Sequence, residues 1–293
     1  MLVQRTLTNS INAVGVGLHS GRRISIKLLP AEEDTGIIFR RVDLNPSVEI
    51  KAIVNNVGAT TLATTLMEGE VQISTIEHML SAFAGLGIDN AIIEIDDVEV
   101  PIMDGSSSSF VFLIQSAGIK EQTKPKKFIK IKKEVSVETD NGAFVKLSPY
   151  DGFKVTYSLV YDDKKHKQYS SKKSIDFNST TYLKEISRAR TFGFMEELNL
   201  LKEKNLALGA SEKNAIAIGE DGILNDEGLR SKDEFVQHKI LDVVGDLYLL
   251  QYNIIGEFEG YKSCLLYTSP SPRDQRGSRM PSWALKKKRG GGG

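Results

Sequence analysis

The sequence predicts an α+β fold, in which two blocks of strands are each accompanied by helices. Apolar and polar residues alternate in a strand-like way within the first ~60 residues and again from residue 128 to residue 159. Helical patterns occur at residues 74–87 and 234–246, where apolar side chains recur every three or four positions. Runs of strands interrupted by few helices are typical of this class.

The length and composition favour a soluble protein of two domains. The chain has 293 residues, of which 40% are hydrophobic and 26% are charged, as in ordinary globular proteins. It contains no uninterrupted apolar run of about 18 residues, and its N-terminus lacks a charged start followed by an apolar stretch. We therefore expect a cytoplasmic protein without stable membrane insertion. The single cysteine, Cys264, excludes an intramolecular disulfide and a cysteine-rich metal knuckle.

The zero net charge conceals a basic C-terminal segment. Residues 264–293 carry seven basic residues and one aspartate, a net charge of +6, so residues 1–263 carry −6. The segment also holds the single tryptophan, Trp283, and four terminal glycines. Such a tail could bind nucleic acid or an anionic membrane surface. It has no amphipathic period and starts abruptly, so we favour foreign sequence, from a frameshift or adapter read-through, and expect no nucleic-acid partner.

Strand patterns separated by glycine and proline fill most of both halves. The predicted strands cover residues 24–28, 37–39, 48–52, 91–95, 128–131, 135–137, 144–147 and 155–159. Asp-Asn-Gly at 140–142 is a hairpin signal between two of them. A helix is predicted over 106–118, and the polar segment 120–127 is predicted to link two domains. His19 lies in a polar turn, where it could contact a ligand or be an ordinary solvated turn residue.

The helix predicted after Ser74 carries two candidate functional residues. Ser74 followed by Glu77 matches a capping box, which would give Glu77 a purely structural role. The helix is expected to end at Gly85 or Gly87. His78 has no such structural explanation, because the helix around it is otherwise apolar.

The helix predicted over residues 234–246 places His238, Asp242 and Asp246 four residues apart on one stripe. Side chains at this spacing converge, so His238 and Asp242 could bind one metal ion from the same side. The alternative is a solvated acidic helix face that happens to carry a histidine.

His78 would complete a three-ligand set with His238 and Asp242. Two imidazoles and one carboxylate are the donor set of zinc hydrolases that leave a fourth position for water. Glu77 would then lie beside that water as a general base. The spacing His-Glu-x-x-His is absent, which excludes the metalloproteases that carry it.

Four motifs resemble one enzyme family in their order and spacing. They are Ile-Ser-Arg-Ala-Arg-Thr-Phe-Gly-Phe-Met at 186–195 and the segments 74–90, 101–105 and 233–246. They resemble the UDP-3-O-acyl-N-acetylglucosamine deacetylases, the bacterial zinc enzymes of lipid A synthesis, and the similarity extends from about Gln4 to Ser263.

The resemblance implies a cytoplasmic, zinc-dependent amidohydrolase. Its fold would be α+β, with two similar domains, each a sheet plus helices, packed as a β-α-α-β sandwich with the active site between them. The domains would cover residues 1–122 and 127–263.

The resemblance also implies roles for individual residues near the metal. His78, His238 and Asp242 would bind Zn²⁺. Glu77 would take a proton from the attacking water, and Thr191 would help to hold the tetrahedral oxyanion. These roles suit amide hydrolysis, which needs a polarised carbonyl, an activated water and donors where negative charge develops.

Further residues match substrate-binding positions of the family. Lys239 would contact the substrate or the developing charge, or else be an exposed lysine. Phe192 could stack on the sugar or be a core aromatic. An insert at about 195–220 would form the passage for the fatty acyl chain, or be an ordinary amphipathic helix and strand. Matches to the uridine diphosphate end complete the substrate-binding candidates, which are His19, Tyr161, Phe192, Lys239 and Lys262.

One motif departs from the family pattern. Family members continue after Tyr-Lys-Ser with Gly-His, and that histidine serves as general acid, held by the aspartate that matches Asp246. Here Cys264 and Leu265 follow Ser263, so the histidine is missing and Asp246 loses the group that it would orient.

Two hypotheses of different classes follow. In the first, the chain hydrolyses the N-acetyl group of UDP-3-O-acyl-N-acetylglucosamine and releases acetate, the committed step of lipid A biosynthesis, with activity impaired by the missing histidine. In the second, it is a non-catalytic protein that binds zinc and a nucleotide sugar. Both predict a small-molecule partner, an acylated UDP-amino sugar, and we expect a monomer.

Overall fold

The computed structural model describes residues 2–60 and 62–262, which form eighteen strands and five α-helices. The strands of the first half are β1 (Val3–Leu7), β2 (Ile11–Val16), β3 (Arg23–Pro30), β4 (Ile37–Arg41), β5 (Val48–Lys51), β6 (Leu66–Glu68), β7 (Val71–Ile73), β8 (Ala91–Ile95) and β9 (Ile119–Pro125). Those of the second half are β10 (Phe128–Lys130), β11 (Val135–Glu138), β12 (Phe144–Ser148), β13 (Phe153–Leu159), β14 (Ser171–Asp176), β15 (Phe192–Phe194), β16 (Ile216–Gly219), β17 (Gly222–Ile223) and β18 (Asn253–Tyr261). The helices are α1 (Glu77–Leu86), α2 (Ser108–Ala117), α3 (Ser179–Thr181), α4 (Met195–Glu203) and α5 (Glu234–Tyr248).

The mixture of strands and helices confirms the predicted α+β class, and all eight predicted strands are present. The basic tail, with Cys264 and Trp283, lies outside the described residues. Within the described ranges, no helix combines the length and the apolar surface needed to cross a bilayer.

The two large sheets have the same topology. In the first, the order is β2-β3-β8-β4-β5, and the central strand β8 is antiparallel to β3 and parallel to β4. In the second, the same path is β11-β12-β18-β13-β14, and the central strand β18 is antiparallel to β12 and parallel to β13. A sixth strand, β10, also pairs in parallel with the start of β18. In each half, the central strand follows a helix that carries predicted ligands: α1 precedes β8, and α5 precedes β18. The two halves are therefore structurally similar, although their sequences show no visible repeat.

The helices connect the two sheets. Helix α5 packs against β13 and β14, α2 packs against β2, and α1 packs against both α2 and α5. Every residue of α1 and thirteen of the fifteen residues of α5 are buried, as expected for helices inside a β-α-α-β arrangement. One apolar core runs through both halves.

A glycine sets the distance between α1 and α5. A Cβ atom at Gly245 would lie 2.0 Å from the carbonyl oxygen of Glu77, far inside van der Waals contact. Glycine inside a helix costs about 1 kcal/mol relative to alanine, and here it allows the backbone of α5 to approach the first residue of α1. This approach brings the predicted base towards the acidic stripe.

The segment predicted as a polar linker is a strand. Residues 119–125 form β9, which pairs antiparallel with β1 at the N-terminus. The prediction of an irregular linker is wrong because the hydrogen-bonding partner lies more than a hundred residues away, where local composition gives no sign of it.

Candidate metal centre

Three predicted ligands converge between α1 and α5. His78 comes from the start of α1, and His238 and Asp242 come from α5; their ligand atoms lie within 4.8 Å of one another. The Nε2 atoms of both imidazoles lie 3.5 Å from Oδ1 of Asp242. All three residues are buried, with at most 5% of their surface exposed. The alternative of a solvated acidic helix face is therefore wrong, because this face of α5 packs against α1.

The chemistry of Asp242 fits a bound cation. Its Oδ1 atom is buried and accepts no hydrogen bond from the described residues, and 3.5 Å is too long for a good hydrogen bond to an imidazole nitrogen. Its Oδ2 atom accepts from Nζ of Lys239 at 3.1 Å. A buried carboxylate oxygen without a donor is costly, and a cation between it and the two Nε2 atoms would satisfy it. Two imidazoles and a carboxylate suit Zn²⁺.

The two imidazoles of the site differ in their pKa. Nδ1 of His238 lies 3.0 Å from the carbonyl oxygen of Ala189, so Nδ1 carries the donated proton and Nε2 offers its lone pair to the site. Burial lowers the pKa of His238 to about 3, so this imidazole is neutral. Burial also lowers the pKa of His78, but the nearby carboxylates of Asp242 and Glu77 together shift it above its ordinary value.

Asp242 is ionised despite its burial. Burial alone would raise the pKa of its carboxyl group, but the neighbouring His238 and the ammonium group of Lys239 hold that pKa well below its ordinary value. The carboxylate is the form that binds a metal ion.

Glu77 is not part of a capping box. Helix α1 begins at Glu77 with Ile76 at the N-cap position, whereas Ser74 belongs to the preceding segment and donates its N–H to the carbonyl of Val98 at 2.8 Å. The capping prediction is wrong because the helix starts later than the pattern indicated. Instead, Oε2 of Glu77, which is 2% exposed, accepts the backbone N–H of Thr64 at 3.0 Å.

Thr64 also contacts the last member of the stripe on α5. Its hydroxyl donates to Oδ1 of Asp246 at 2.6 Å. Thr64 thus binds both the predicted base, Glu77, and Asp246, the aspartate predicted to orient the histidine that this sequence lacks. Nothing in the repetitive sequence around Thr64 singled out this residue, because its two partners come from distant helices.

Thr191 lies in a segment that is attached to both halves. Its N–H donates to the carbonyl of Gly105 at 2.8 Å, and its own carbonyl accepts from Ile216 at 2.8 Å. The preceding residue, Arg190, forms a buried ion pair with Glu234 at the start of α5. Glu234 continues the stripe one turn before His238, a position that sequence reasoning did not identify.

Lys239 and Phe192 pack together beside the ligands. Lys239 is 6% exposed and its Nζ atom lies 5.3 Å from the centre of the Phe192 ring, so the alternative of an exposed lysine is wrong. Phe192 is also buried, and its ring packs against Phe235 and His238 at centroid distances of 4.9 and 6.2 Å. These contacts give Phe192 a packing role, and stacking on a sugar remains a prediction.

Tyr161 and Lys262 follow the ends of β13 and β18. These strands are parallel neighbours, so the two residues come to the same edge of the sheet. The ring of Tyr161 packs edge-on against Phe194 at 5.6 Å, and Lys262 forms an ion pair with Asp162 at 2.6 Å. Phe194 and Phe192 lie two positions apart on β15, so they share one face and link Tyr161 to the surroundings of His238.

His19 contacts the segment that follows α4. Its Nδ1 atom accepts the N–H of Ala207 at 3.4 Å, and its carbonyl accepts the N–H of Leu208 at 3.2 Å. Burial lowers the pKa of His19. The alternative of a solvated turn residue is wrong, and the partner of His19 is the predicted acyl-passage insert rather than the ligand trio.

The same insert contains a carboxyl group that should make stability depend on pH. Oε2 of Glu197 is buried without a hydrogen bond from the described residues. Burial, together with the charge of Glu196, raises the pKa of Glu197 from 4.5 to about 6. A raised folded-state pKa penalises the ionised form, so the penalty is absent below pH 4.5 and grows as the pH rises through 6.

Replacing Glu197 by glutamine should therefore raise the melting temperature at pH 7.5 and change it little at pH 4. Because the side chain is partly exposed, we expect the gain to correspond to at most about 1 kcal/mol, or a few degrees. Thermal unfolding of both proteins at the two pH values measures the difference. An equal effect at both pH values would show that the ionisation of Glu197 is not its cause.

Comparisons with known proteins place these residues in context. A family model described as UDP-3-O-acyl N-acetylglycosamine deacetylase matches residues 4–265. The UDP-3-O-acyl-N-acetylglucosamine deacetylase of Pseudomonas entomophila (strain L48) is 58% identical over 263 residues, which cover 90% of this chain and 86% of that protein. The deacetylase of the same name from Cellvibrio japonicus (strain Ueda107) is 54% identical over 263 residues, with the same coverage.

Proposed function

Because the chain belongs to the UDP-3-O-acyl N-acetylglycosamine deacetylase family, we propose that it hydrolyses the N-acetyl group of UDP-3-O-acyl-N-acetylglucosamine with the help of Zn²⁺ and releases acetate, in the synthesis of lipid A. The match over residues 4–265 confirms the resemblance of the sequence motifs, and the deacetylase activity follows from membership of the family. The observation that carries the metal proposal is the buried trio, in which Oδ1 of Asp242 faces two imidazole nitrogens without a hydrogen-bond donor.

The metal ion and the protein residues would have different roles when water attacks the amide carbonyl. When bound by His78, His238 and Asp242, Zn²⁺ would supply Lewis-acid polarisation of the amide carbonyl and activation of water. Glu77 would take a proton from the attacking water as the new C–O bond forms. The electron pair of the carbonyl moves to its oxygen, and Thr191 would donate a hydrogen bond to that oxyanion.

The second half of the reaction depends on a proton. The oxyanion re-forms a carbonyl while the C–N bond breaks, and the departing sugar amine must be protonated. The histidine that supplies this proton in the family is replaced in this sequence, where Cys264 and Leu265 follow Ser263. Glu77 holds the proton that it took from water and can return it to the amine, so we propose a slow deacetylase rather than an inactive one.

The substrate would lie across the seam between the two halves. The sugar and the uridine diphosphate would lie along a row of rings formed by Phe192, Phe194 and Tyr161. Lys262 lies at the same end of the sheet as Tyr161. Lys239 would contact the substrate close to the reacting carbonyl.

The acyl chain would follow the insert at 195–220. Helix α4 exposes Met195 and Leu200 by 39% and 51% of their surface, and burying them against a fatty chain would be favourable. The two domains would meet at about residues 122–127, and the protein would act as a monomer.

The metal assignment is tested by replacing His238 with alanine. Purified wild-type protein should hold one equivalent of zinc. The variant should hold almost none, because only two of the three proposed ligands, His78 and Asp242, remain. Metal analysis measures the content. The matched control is His166→Ala, since His166 contacts Asp163 and Glu196 instead of the trio. One equivalent of zinc retained by His238→Ala would disprove the assignment.

The same preparations decide between enzyme and binding protein. Release of acetate from UDP-3-O-acyl-N-acetylglucosamine by the wild-type protein, lost in His238→Ala, supports the deacetylase. Zinc and substrate binding without any release of acetate would support the non-catalytic alternative, which the missing histidine favours.

A further inference from the structure

We propose, on the basis of the proposed zinc site, that the buried ion pair between Glu234 and Arg190 is a positioning pair, which keeps neighbouring residues in place. It holds the segment 189–191 on α5, so that one end of this segment orients the ligand His238 and the other end carries Thr191 towards the same site. Neither Glu234 nor Arg190 touches the substrate in this proposal, and both act through their neighbours.

The contacts use both oxygens of the carboxylate. Oε1 of Glu234 accepts the backbone N–H of Arg190 at 3.0 Å and its Nε–H at 2.9 Å. Oε2 accepts from Nη2 of Arg190 at 3.2 Å and from the backbone N–H of Arg230 at 2.5 Å. Glu234 and Arg190 are 0% and 3% exposed. Such a charge-assisted fork fixes direction as well as distance.

Each residue beside Arg190 is held by a hydrogen bond of its own. The carbonyl of Ala189 accepts from Nδ1 of His238 at 3.0 Å, which leaves Nε2 free to bind the metal. Thr191, on the other side, donates its N–H to Gly105 of the first half. Because the segment has only three residues, anchoring the middle one restricts both ends.

Glu234 and His238 lie four residues apart on α5, on the same side of the helix. The anchor and the ligand that it serves therefore move together as parts of one rigid element. If the pair is broken, Ala189 can move away from His238 while the helix itself stays in place.

Further hydrogen bonds of Arg190 and Arg230 connect the ion pair to the first half of the chain. Nη2 of Arg190 donates to the carbonyl of Gly228 at 2.7 Å. Nη1 of Arg230 donates to Oδ2 of Asp104 at 2.8 Å and to the carbonyl of Arg188 at 3.0 Å. Asp104 lies in the 101–105 motif, so the network joins three of the four segments that carry the family resemblance.

Stability alone does not account for the pair. Burying two charges costs several kcal/mol of hydration, and apolar residues of similar volume are often equally stable. By contrast, loss of a group that orients a metal-binding histidine weakens metal binding by about 10–100-fold. Zinc affinity therefore separates a positioning role from a role in stability.

The test is the double variant Arg190→Met with Glu234→Gln in the full chain. It removes both charges together, keeps one amide oxygen that can still accept the backbone N–H of residue 190, which now binds Oε1 of Glu234, and fills most of the volume. We expect a zinc dissociation constant, measured by chelator competition, that is about 10–100-fold higher. In the metal-free protein, the backbone amide hydrogens at positions 190 and 191 should exchange faster than in wild type, while the melting temperature falls by only a few degrees.

The matched control is a second ion pair, Lys126 with Asp89, whose charged atoms lie 3.0 Å apart and whose side chains are 8% and 15% exposed. It lies beyond the C-terminus of α1, about 14 Å along the helix from Glu77. Lys126→Met with Asp89→Asn keeps an acceptor for the N–H of Arg5, which now binds Asp89. This control should leave zinc affinity unchanged, and an equal loss in it would attribute the effect to general destabilisation and overturn the proposal.

Other outcomes are equally decisive. Unchanged zinc affinity in the double variant of Arg190 and Glu234 would overturn the proposal. If wild-type protein binds no zinc, the proposed function fails, and the exchange rates alone decide whether the pair holds the segment. If the double variant does not fold, Arg190→Lys replaces it: lysine keeps the charge but cannot form the fork, so wild-type affinity in that variant would also overturn the proposal.

Discussion

Replacing Glu77 by glutamine is expected to lower the turnover number by about 10²-fold or more while the zinc content and the melting temperature stay nearly unchanged. The amide oxygen of glutamine can still accept the N–H of Thr64, which now binds Oε2 of Glu77, so the start of α1 keeps its contact. The amide cannot take a proton from water. A change confined to turnover would therefore identify Glu77 as the base.

The experiment needs an active parent. Turnover, zinc content and thermal unfolding should be compared in a protein whose C-terminus carries the Gly-His pair of the family, with and without the Glu77→Gln change. If the glutamine variant turns over substrate as fast as its parent, Glu77 has only the structural contact with Thr64, and the proposed mechanism loses its base.

Restoring the family C-terminus should produce the second large effect. Substituting residues 264–293 by Gly-His and the following segment of a family member is expected to raise turnover by about 10²–10⁴-fold, the range typical of a positioned general acid. The new histidine would meet Asp246, which the hydroxyl of Thr64 already holds at 2.6 Å. Release of acetate from UDP-3-O-acyl-N-acetylglucosamine at equal zinc content measures the gain.

A graft that carries Gly-Ala in place of Gly-His is the matched control. It restores the same segment without a proton donor, so it separates the acid from any gain in stability. If the Gly-Ala graft is as fast as the Gly-His graft, or if the present chain is already as fast as both, this histidine is not the acid and the proposed protonation of the amine is wrong.

The sequence by itself determined the two ligand-bearing helices, eight of the eighteen strands and the chemical types of the ligands. Strand alternation and the 3.6-residue period are local properties, so β3, β4, β8 and most of the second sheet were predictable. The stripe of His238, Asp242 and Asp246 is also local, because side chains four residues apart on one helix must lie on one side. Motif order then identified the family without any tertiary information.

Sequence patterns failed where the partner of a group lies far along the chain. The cap of α1 was predicted wrongly because Glu77 binds Thr64, on the far side of the β6–β7 hairpin, rather than Ser74. The segment 120–127 was taken for a linker, although it forms β9 opposite β1. In both cases, a hydrogen bond to a distant backbone overrode the local signal.

Only the tertiary structure decided how the site is assembled. His78 lies 160 residues from His238 in the sequence, and their rings meet at a centroid distance of 4.9 Å because Gly245 lets α5 pack directly on the first turn of α1. The same packing buries Asp242, which turns an ordinary helix carboxylate into one that lacks a hydrogen-bond donor on Oδ1. Contacts between distant segments also determine the matching topologies of the two sheets and the Glu234–Arg190 pair. The energy of such contacts depends on the distance between atoms in space, not on the spacing of residues in the chain.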